Sequence, residues 1–495
     1  MKRYIYYCIF ILLSGKSVFA QNAESPSVLL NNEIDVLKSD VCLKNATWGL
    51  CVMETGTGNI LGSYNADAVL EPASVMKIVT TGAALSILGP SFVFETWLEY
   101  SGNIDSAGNL NGNIYIRGGG DPTIGSKRFG SSVSTDSVFS MFRNALGKLK
   151  IKNIRGAVVA DAGIYDDNPA SGSWLWEDIG NYYASGAYGL NLYENYYRLY
   201  FNSGTAIGSP ASLVKMEPEL IDISFINHVK TARAESGDNV IIYGGPYTKL
   251  RLLEGTVPAG RENFDVDGAI PDPPELFAKL FCEYLSANGI PVDKSFTTCR
   301  ELEWKNMPDT LPRKTIIKYV SPCLGDIIKP TNIKSVNLFA EAILKAAGKQ
   351  KSGRGSEKAG VEAVKNFWAS KNVDLKGLEM EDGCGLSRKN KISTRQLCQM
   401  LKVISKEKSY DVFCASLPVA GKSGGMAGML KNTIAENNLK AKTGNMDEIK
   451  SYAGYVTTAG GKEVAFALVF NNYNCPNAEI KQKAEKLLLL ISRLK

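Results

Sequence analysis

Glu71-Pro72-Ala73-Ser74-Val75-Met76-Lys77-Ile78-Val79-Thr80-Thr81 is the stretch on which the reading of this chain turns. It reads as the opening turns of a helix, because Pro72 lacks only an N–H that a first turn does not use. Ser74 and Lys77 are three residues apart, share a helix face and can touch. A lysine shielded from water gives up its proton more readily, and the neutral amine can then take the proton of a neighbouring hydroxyl. The pair alone is weak, since Ser-x-x-Lys recurs on solvated helix surfaces. Two more short motifs follow in order, Ser335-Val336-Asn337 and Lys442-Thr443-Gly444. Each is common alone; the ordered set of three is specific.

The set covers what acyl transfer requires: a nucleophile, a proton shuttle, an oxyanion hole and an anchor for a carboxylate. On this reading Ser74 attacks a carbonyl and Lys77 accepts its proton. Ser335 relays a proton to the leaving amine, and Asn337 orients Lys77 and holds the substrate amide. Lys442 supplies a cation, and Thr443 a hydroxyl, for a terminal carboxylate. Gly444 has no side chain, so a substrate can pair along that strand edge. The Ser74 N–H, at a helix N-terminus, is an oxyanion donor.

Other chemistries are bounded by counts. The only histidine is His228, so a Ser-His-Asp triad would have to use it, and a multi-histidine metal site is excluded. No Gly-x-Ser-x-Gly elbow lies near it, and it reads as a surface or structural residue. Gly118-Gly119-Gly120-Asp121-Pro122-Thr123 is a glycine-rich turn but no phosphate loop, because no Gly-Lys-Ser/Thr follows. There are 10 cysteines, with no Cys-x-x-Cys pair and no metal-ligand spacing. Nothing calls for a metal or cofactor. Cys42 with Cys51, or Cys282 with Cys299, are candidate disulfides in an oxidising compartment, with buried free thiols as the alternative.

At 495 residues the chain suggests two to three domains, and 44% hydrophobic with 21% charged residues is an ordinary globular balance. Residues 1–20 read as an export signal. Lys2 and Arg3 precede a short apolar run, and Val18-Phe19-Ala20 is a small-residue cleavage site before Gln21. The formal charge is +6, and loss of Lys2, Arg3 and Lys16 leaves about +3, too mild to argue for nucleic acid. No later stretch is apolar for long enough to span a bilayer.

Along the chain, residues 27–39 have helical spacing, and 47–53 with 59–64 read as a hairpin leading to the Ser74 helix. Residues 96–311 read as an inserted, mostly β module of two subdomains, with few helical signals before 274–288. Its aromatic cluster from Tyr182 to Tyr200 reads as strand packing. Helices return at 338–347, stopped by Gly348, and at 356–371 and 393–405. Two strands, 452–457 and 463–470, follow Lys442-Thr443-Gly444, and 478–495 form a terminal helix docked on the sheet.

These motifs resemble those of the low-molecular-mass class C penicillin-binding proteins, the D-alanyl-D-alanine carboxypeptidases and endopeptidases of the bacterial cell wall. The similarity covers nearly the whole chain after the signal. It rests on Pro72-Ala73-Ser74 with Lys77 and Thr80, on Gly120-Asp121-Pro122-Thr123, and on Ser335 to Glu341. Asp382-Gly383-Cys384-Gly385-Leu386-Ser387-Arg388-Lys389-Asn390 and Ser416 to Gly421 add to it. Ser74 and Ser335 are 261 positions apart, far more than in β-lactamases, as the family's large insert requires.

The resemblance implies an α/β (α+β) transpeptidase-like, β-lactamase-like domain from residues 21–95 and 312–495, its antiparallel sheet flanked by helices and closed by both chain ends. It implies a periplasmic serine D-Ala-D-Ala carboxypeptidase, alone or with endopeptidase action on cross-links, acting on peptidoglycan stem peptides and acylated by β-lactam antibiotics. It implies that Asp121, Arg388 and Met446 border the pocket for the stem's diamino acid, and that the Asn445 N–H completes the oxyanion hole. Cys384 stands where the family has Ser, and Ser423-Gly424-Gly425 where it has Asp-Gly-Thr, departures that bear on substrate preference. The alternatives are a β-lactamase or esterase on the same scaffold, and an inactive wall-binding protein.

Overall fold

The structure, a computed structural model, describes residues 25–307 and 310–495; the expected export signal lies outside the described residues. A five-stranded antiparallel sheet runs in the order Ile60–Tyr64, Thr47–Glu54, Glu463–Asn471, Ile449–Thr457, Lys440–Met446. Its middle joins the two ends of the chain: Thr47 pairs with Asn471 and Glu54 with Val464. Both faces are covered, so the central strands are apolar throughout rather than alternating. Leu50 and Val52 face one way, toward the Pro26–Lys38 and Asn477–Ser492 helices. Cys51 and Met53 face the other way, toward a second core with Val79, Ile343 and Leu397 from the Met76–Ile87, Asn337–Ser352 and Thr394–Ile404 helices. This is the α/β transpeptidase-like arrangement that the motifs imply. Leu487, Leu488 and Ile491 are fully buried, so the terminal helix docks on the sheet. Among the described residues no helix is long and apolar enough to cross a membrane.

The intervening region has its own core. A mixed sheet runs Phe296–Thr298, Val158–Asp161, Ile114–Arg117, Glu95–Tyr100, Lys314–Val320. A separate three-stranded sheet places Tyr196–Asn202 between Ser212–Glu217 and Phe264–Ala269. The sequence reading missed the 14-residue Thr135–Lys148 helix, whose Val138, Phe139, Phe142, Ala145 and Leu146 are buried on one face. The signal was present: Ser134 caps the helix and the apolar positions keep the helical period.

Two further expectations are corrected. The Asn337–Ser352 helix runs through Gly348 and ends at Gly353, which takes the left-handed conformation at φ 85. Gly348 serves packing instead: a Cβ there would lie 2.5 Å from the Gly360 nitrogen of the neighbouring helix. Neither candidate pairing forms: among the described residues one disulfide joins Cys42 to Cys475, whose Cα atoms are 5.3 Å apart, while Cys51, Cys282 and Cys299 are free thiols, the alternative that the sequence left open. Cys51 points into the opposite face of the sheet from Cys42, so local spacing misled. The bridge ties the turn before the first strand to the segment entering the last helix. Reducing it, or making Cys475→Ser, is expected to lower stability by about 2–4 kcal/mol, read as a fall in unfolding temperature with unchanged catalytic rate.

Candidate active site

The Ser74 motif is not a uniform helix start. Ala73–Val75 form a 3₁₀ turn, and the α-helix begins at Met76. Ala73 sits at φ 46, an uncommon region for a side-chain-bearing residue. Two contacts hold this turn. The Ser451 hydroxyl donates to the Pro72 carbonyl at 2.6 Å. Gly385, at φ +88, packs so close that a Cβ there would lie 1.9 Å from the Ala73 carbonyl oxygen. Ser74 is thereby fixed on the wall of a cleft of about 1000 Å³.

Lys77 is completely buried beneath it. Its Nζ lies 3.1 Å from Ser74 Oγ, 2.6 Å from Asn337 Oδ1 and 2.7 Å from the Cys384 carbonyl oxygen. Burial pushes the ammonium below its ordinary range, partly opposed by the neighbouring acidic groups of Cys384, Asp382 and Glu341. The Asn337 and Cys384 oxygens are pure acceptors and take two N–H bonds. In the neutral amine the remaining direction, toward Ser74, is therefore the lone pair.

Asn337 is itself aligned by donating from Nδ2 to the Tyr183 carbonyl at 2.7 Å. Ser335, just ahead of that helix, adopts φ 59, a strained backbone held by its surroundings. Its Oγ accepts from Lys442 Nζ at 3.0 Å. Lys442 is fully buried and lowered well below its usual value, by burial first and by the Lys77 charge second. Lys442-Thr443-Gly444 lie on Lys440–Met446, the outermost strand of the sheet. Gly444 is needed there: a Cβ would lie 2.2 Å from Ser451 Oγ and 2.7 Å from the Pro72 carbonyl oxygen. Gly425 likewise lets its loop close on Thr443, whose Oγ1 would sit 2.2 Å from a Cβ.

Ser74, Ser335, Asn337, Arg388, Asn445 and Met446 all line the cleft. Asp121 does not. It is 2% exposed, folded back onto Thr123 N and Oγ1 at 2.8 and 2.7 Å, and burial raises its carboxyl to about 6. Six carboxylates share the cleft with Arg388 and Met446, those of Glu177, Asp178, Glu194, Asp238, Asp267 and Asp447, and Asp178 is one that feels the Arg388 charge. Asp178 accepts from the Tyr183 hydroxyl at 3.0 Å and is raised by burial. Sequence reasoning missed it, since an acidic pair in a turn has no spacing signal. The aromatic cluster was misread in part. Tyr197, Leu199 and Phe201 pack inward, but Tyr182, Tyr183 and Tyr196 line the cleft. His228 is exposed beside Glu254, on the surface as read.

Behind the site, Asp382 organises the loop that carries the Cys384 carbonyl. Its two oxygens accept from Gly385 N at 2.7 Å, Ser387 N at 2.6 Å, Asn390 Nδ2 at 2.9 Å and Trp174 Nε1 at 2.8 Å. Glu341 accepts from Gly383 N at 2.9 Å, and burial raises its carboxyl to about 8. Asp382→Asn turns an acceptor-only group into one with an N–H aimed at buried donors. The expected loss is about 2–3 kcal/mol, measured by denaturant unfolding, with slower acylation because the Lys77 acceptor shifts.

Known proteins resemble this chain over most of its length. A family model described as the D-Ala-D-Ala carboxypeptidase 3 (S13) family matches residues 30–493. A D-alanyl-D-alanine carboxypeptidase of Actinomadura sp. (strain R39) is 27% identical over 478 residues, 94% of this chain and 85% of the relative. The carboxypeptidase DacB of Haemophilus influenzae is 25% identical over 456 residues, 89% of this chain and 88% of its own. The crystal structure of penicillin binding protein 4 from Haemophilus influenzae aligns with a TM-score of 0.76 at 23% identity, covering 94% of this chain and 97% of that one. A structure of that protein with a β-lactam aligns with a TM-score of 0.73 at 22% identity, with the same coverage. At such identity the likeness concerns the fold.

Proposed function

Because this chain belongs to the D-Ala-D-Ala carboxypeptidase 3 (S13) family, we propose that Ser74 is the residue that this serine-type hydrolase acylates. The observation that carries the reading is the buried Lys77 amine 3.1 Å from Ser74 Oγ, with its other two contacts occupied by acceptors. The substrate is the D-Ala-D-Ala terminus of a peptidoglycan stem peptide. Its carboxylate lies at Lys442 and Thr443, where it supplies the counter-charge that a buried lysine needs. Neutral Lys77 takes the Ser74 proton as Oγ attacks the penultimate carbonyl carbon. The Ser74 and Asn445 N–H groups hold the developing oxyanion. The proton taken up by Lys77 is returned through the Ser335 hydroxyl to the departing amine, the C–N bond breaks and D-alanine leaves, with Lys77 neutral again. Water then hydrolyses the ester on Ser74. A β-lactam enters the same cycle and stalls as the acyl-enzyme, in line with the β-lactam complex of the Haemophilus protein.

The stem's diamino acid is assigned to Arg388, Met446 and Asp178, with Asp178 in the place that the sequence reading gave to Asp121. Arg388 donates to the Asp447 carbonyl at 3.2 Å and keeps the cleft-facing charge that a side-chain carboxylate would meet. We also assign the protein to the exported compartment, on the strength of residues 1–20 and the Cys42–Cys475 bridge. The test is incubation with a stem pentapeptide and mass analysis of the products. Release of a single D-alanine is expected. An unchanged pentapeptide, or rapid turnover of penicillin without peptide cleavage, contradicts the reading.

A further inference from the structure

The cleft extends beyond what the reaction at Ser74 needs. It runs from Ser74 to Tyr196, Arg198 and Asp267 on the three-stranded sheet of the intervening region. A second hollow of about 260 Å³ continues from there, sharing Tyr196 and Arg198 and adding Tyr200 and Glu217. The floor is one face of the Tyr196–Asn202 strand. Period-two alternation sends Tyr197, Leu199 and Phe201 into the core and Tyr196, Arg198 and Tyr200 outward.

The polar groups on this face are already clamped. Asp267 holds the Arg198 guanidinium through two bonds of 2.7 and 2.9 Å. The Tyr200 hydroxyl donates to Glu217 at 2.8 Å. Tyr182, 53% exposed, stands edge-on to Tyr196 with ring centroids 6.4 Å apart. The Tyr182 and Tyr196 rings, beside fixed planar carboxylate and guanidinium groups, suit a pyranose, and Tyr200, with Lys215 Nζ 5.3 Å from the centroid over one face of its ring, adds its other face. The sugar's C–H face lies against the electron-rich ring, and its hydroxyls meet pre-oriented partners that lose little entropy on binding. A peptide gains most from a free strand edge. This strand is paired on both sides, by Ser212–Glu217 and Phe264–Ala269, so it offers side chains only.

Resting on the carboxypeptidase reading, we infer that Tyr182, Tyr196, Arg198, Tyr200, Glu217 and Asp267 form a saccharide subsite for the glycan that bears the stem peptide. The bond cut at Ser74 is at the stem's C-terminal end. An extended stem advances about 3.3–3.6 Å per residue, so its sugar-bearing end lies well along the cleft from Ser74.

The experiment follows D-alanine release from a free stem pentapeptide and from the same peptide carrying its disaccharide. The native protein is compared with Tyr182→Ala, Tyr200→Ala and Tyr182→Phe. The native KM is expected to be lower for the glycosylated substrate. Each alanine variant raises that KM roughly three- to tenfold, leaving the free pentapeptide and penicillin acylation unchanged, and Tyr182→Phe retains the native preference. In parallel, binding of a peptide-free cell-wall oligosaccharide to Ser74→Ala protein is followed by saturation-transfer NMR, with and without Tyr182→Ala. This readout stands even if no peptide is cleaved, so failure of the carboxypeptidase reading is seen separately. Equal KM values for the two substrates, or no oligosaccharide binding, overturns the subsite. A gain seen only with a sugar-free cross-linked peptide dimer assigns the face to a second stem and overturns it as well.

Discussion

Ser74→Ala protein is expected to release D-alanine on the order of 10⁴–10⁶-fold more slowly than the native chain, the range seen when an acyl-enzyme nucleophile is removed. The fold should be untouched. Ser74 is only partly buried, and the turn around it is held by Ser451 and Gly385 rather than by its hydroxyl. Lys77 keeps its bonds to Asn337 and Cys384. Thermal unfolding should therefore give the native midpoint, and a stopped D-alanine assay should find turnover reduced by that factor. A variant retaining a tenth of native activity would point to another nucleophile, and Ser335, in hydrogen bond with Lys442, would be the first to test.

The second large effect is expected from Lys77→Arg. Arginine keeps the positive charge but cannot give up its proton in a protein. If Lys77 serves as the base, acylation slows roughly 10²–10⁴-fold. If the lysine acts only through its charge, little changes. The pH dependence separates the two further. Burial lowers Lys77 from its ordinary value of 10.5. The native acylation rate should rise with pH as the amine loses its proton, and level off below that value. The arginine variant should show no such rise. A native profile that falls with pH over that range would mean that the protonated lysine is the active form.

Much of this site is legible in the chain before folding. Ser74, Lys77, Ser335, Asn337 and Lys442 are few, polar and regularly spaced within their motifs, and the structure gathers them into two hydrogen-bonded groups, Ser74 with Lys77 and Asn337, and Ser335 with Lys442. The central strands are readable because 47–53 and 463–470 are apolar runs of strand length. What was hidden depends on distance along the chain. Asp178 meets Arg388 across 210 positions, and Cys42 meets Cys475 across 433. No local pattern encodes either meeting. Asp121 was read as bordering the cleft, but its turn folds the carboxylate back onto Thr123 in the protein interior. Gly348 looked like a helix stop because a glycine's use in close helix packing is invisible until the partner helix is known.

The account rests on one hydroxyl made reactive by one buried amine, and covalent labelling tests it most directly. Native protein is incubated with a penicillin, digested, and its peptides mapped by mass. The account predicts one equivalent of penicilloyl ester on the peptide that contains Ser74, and none in Ser74→Ala protein. An adduct on any other residue, or full β-lactam exposure with no adduct at all, would contradict it.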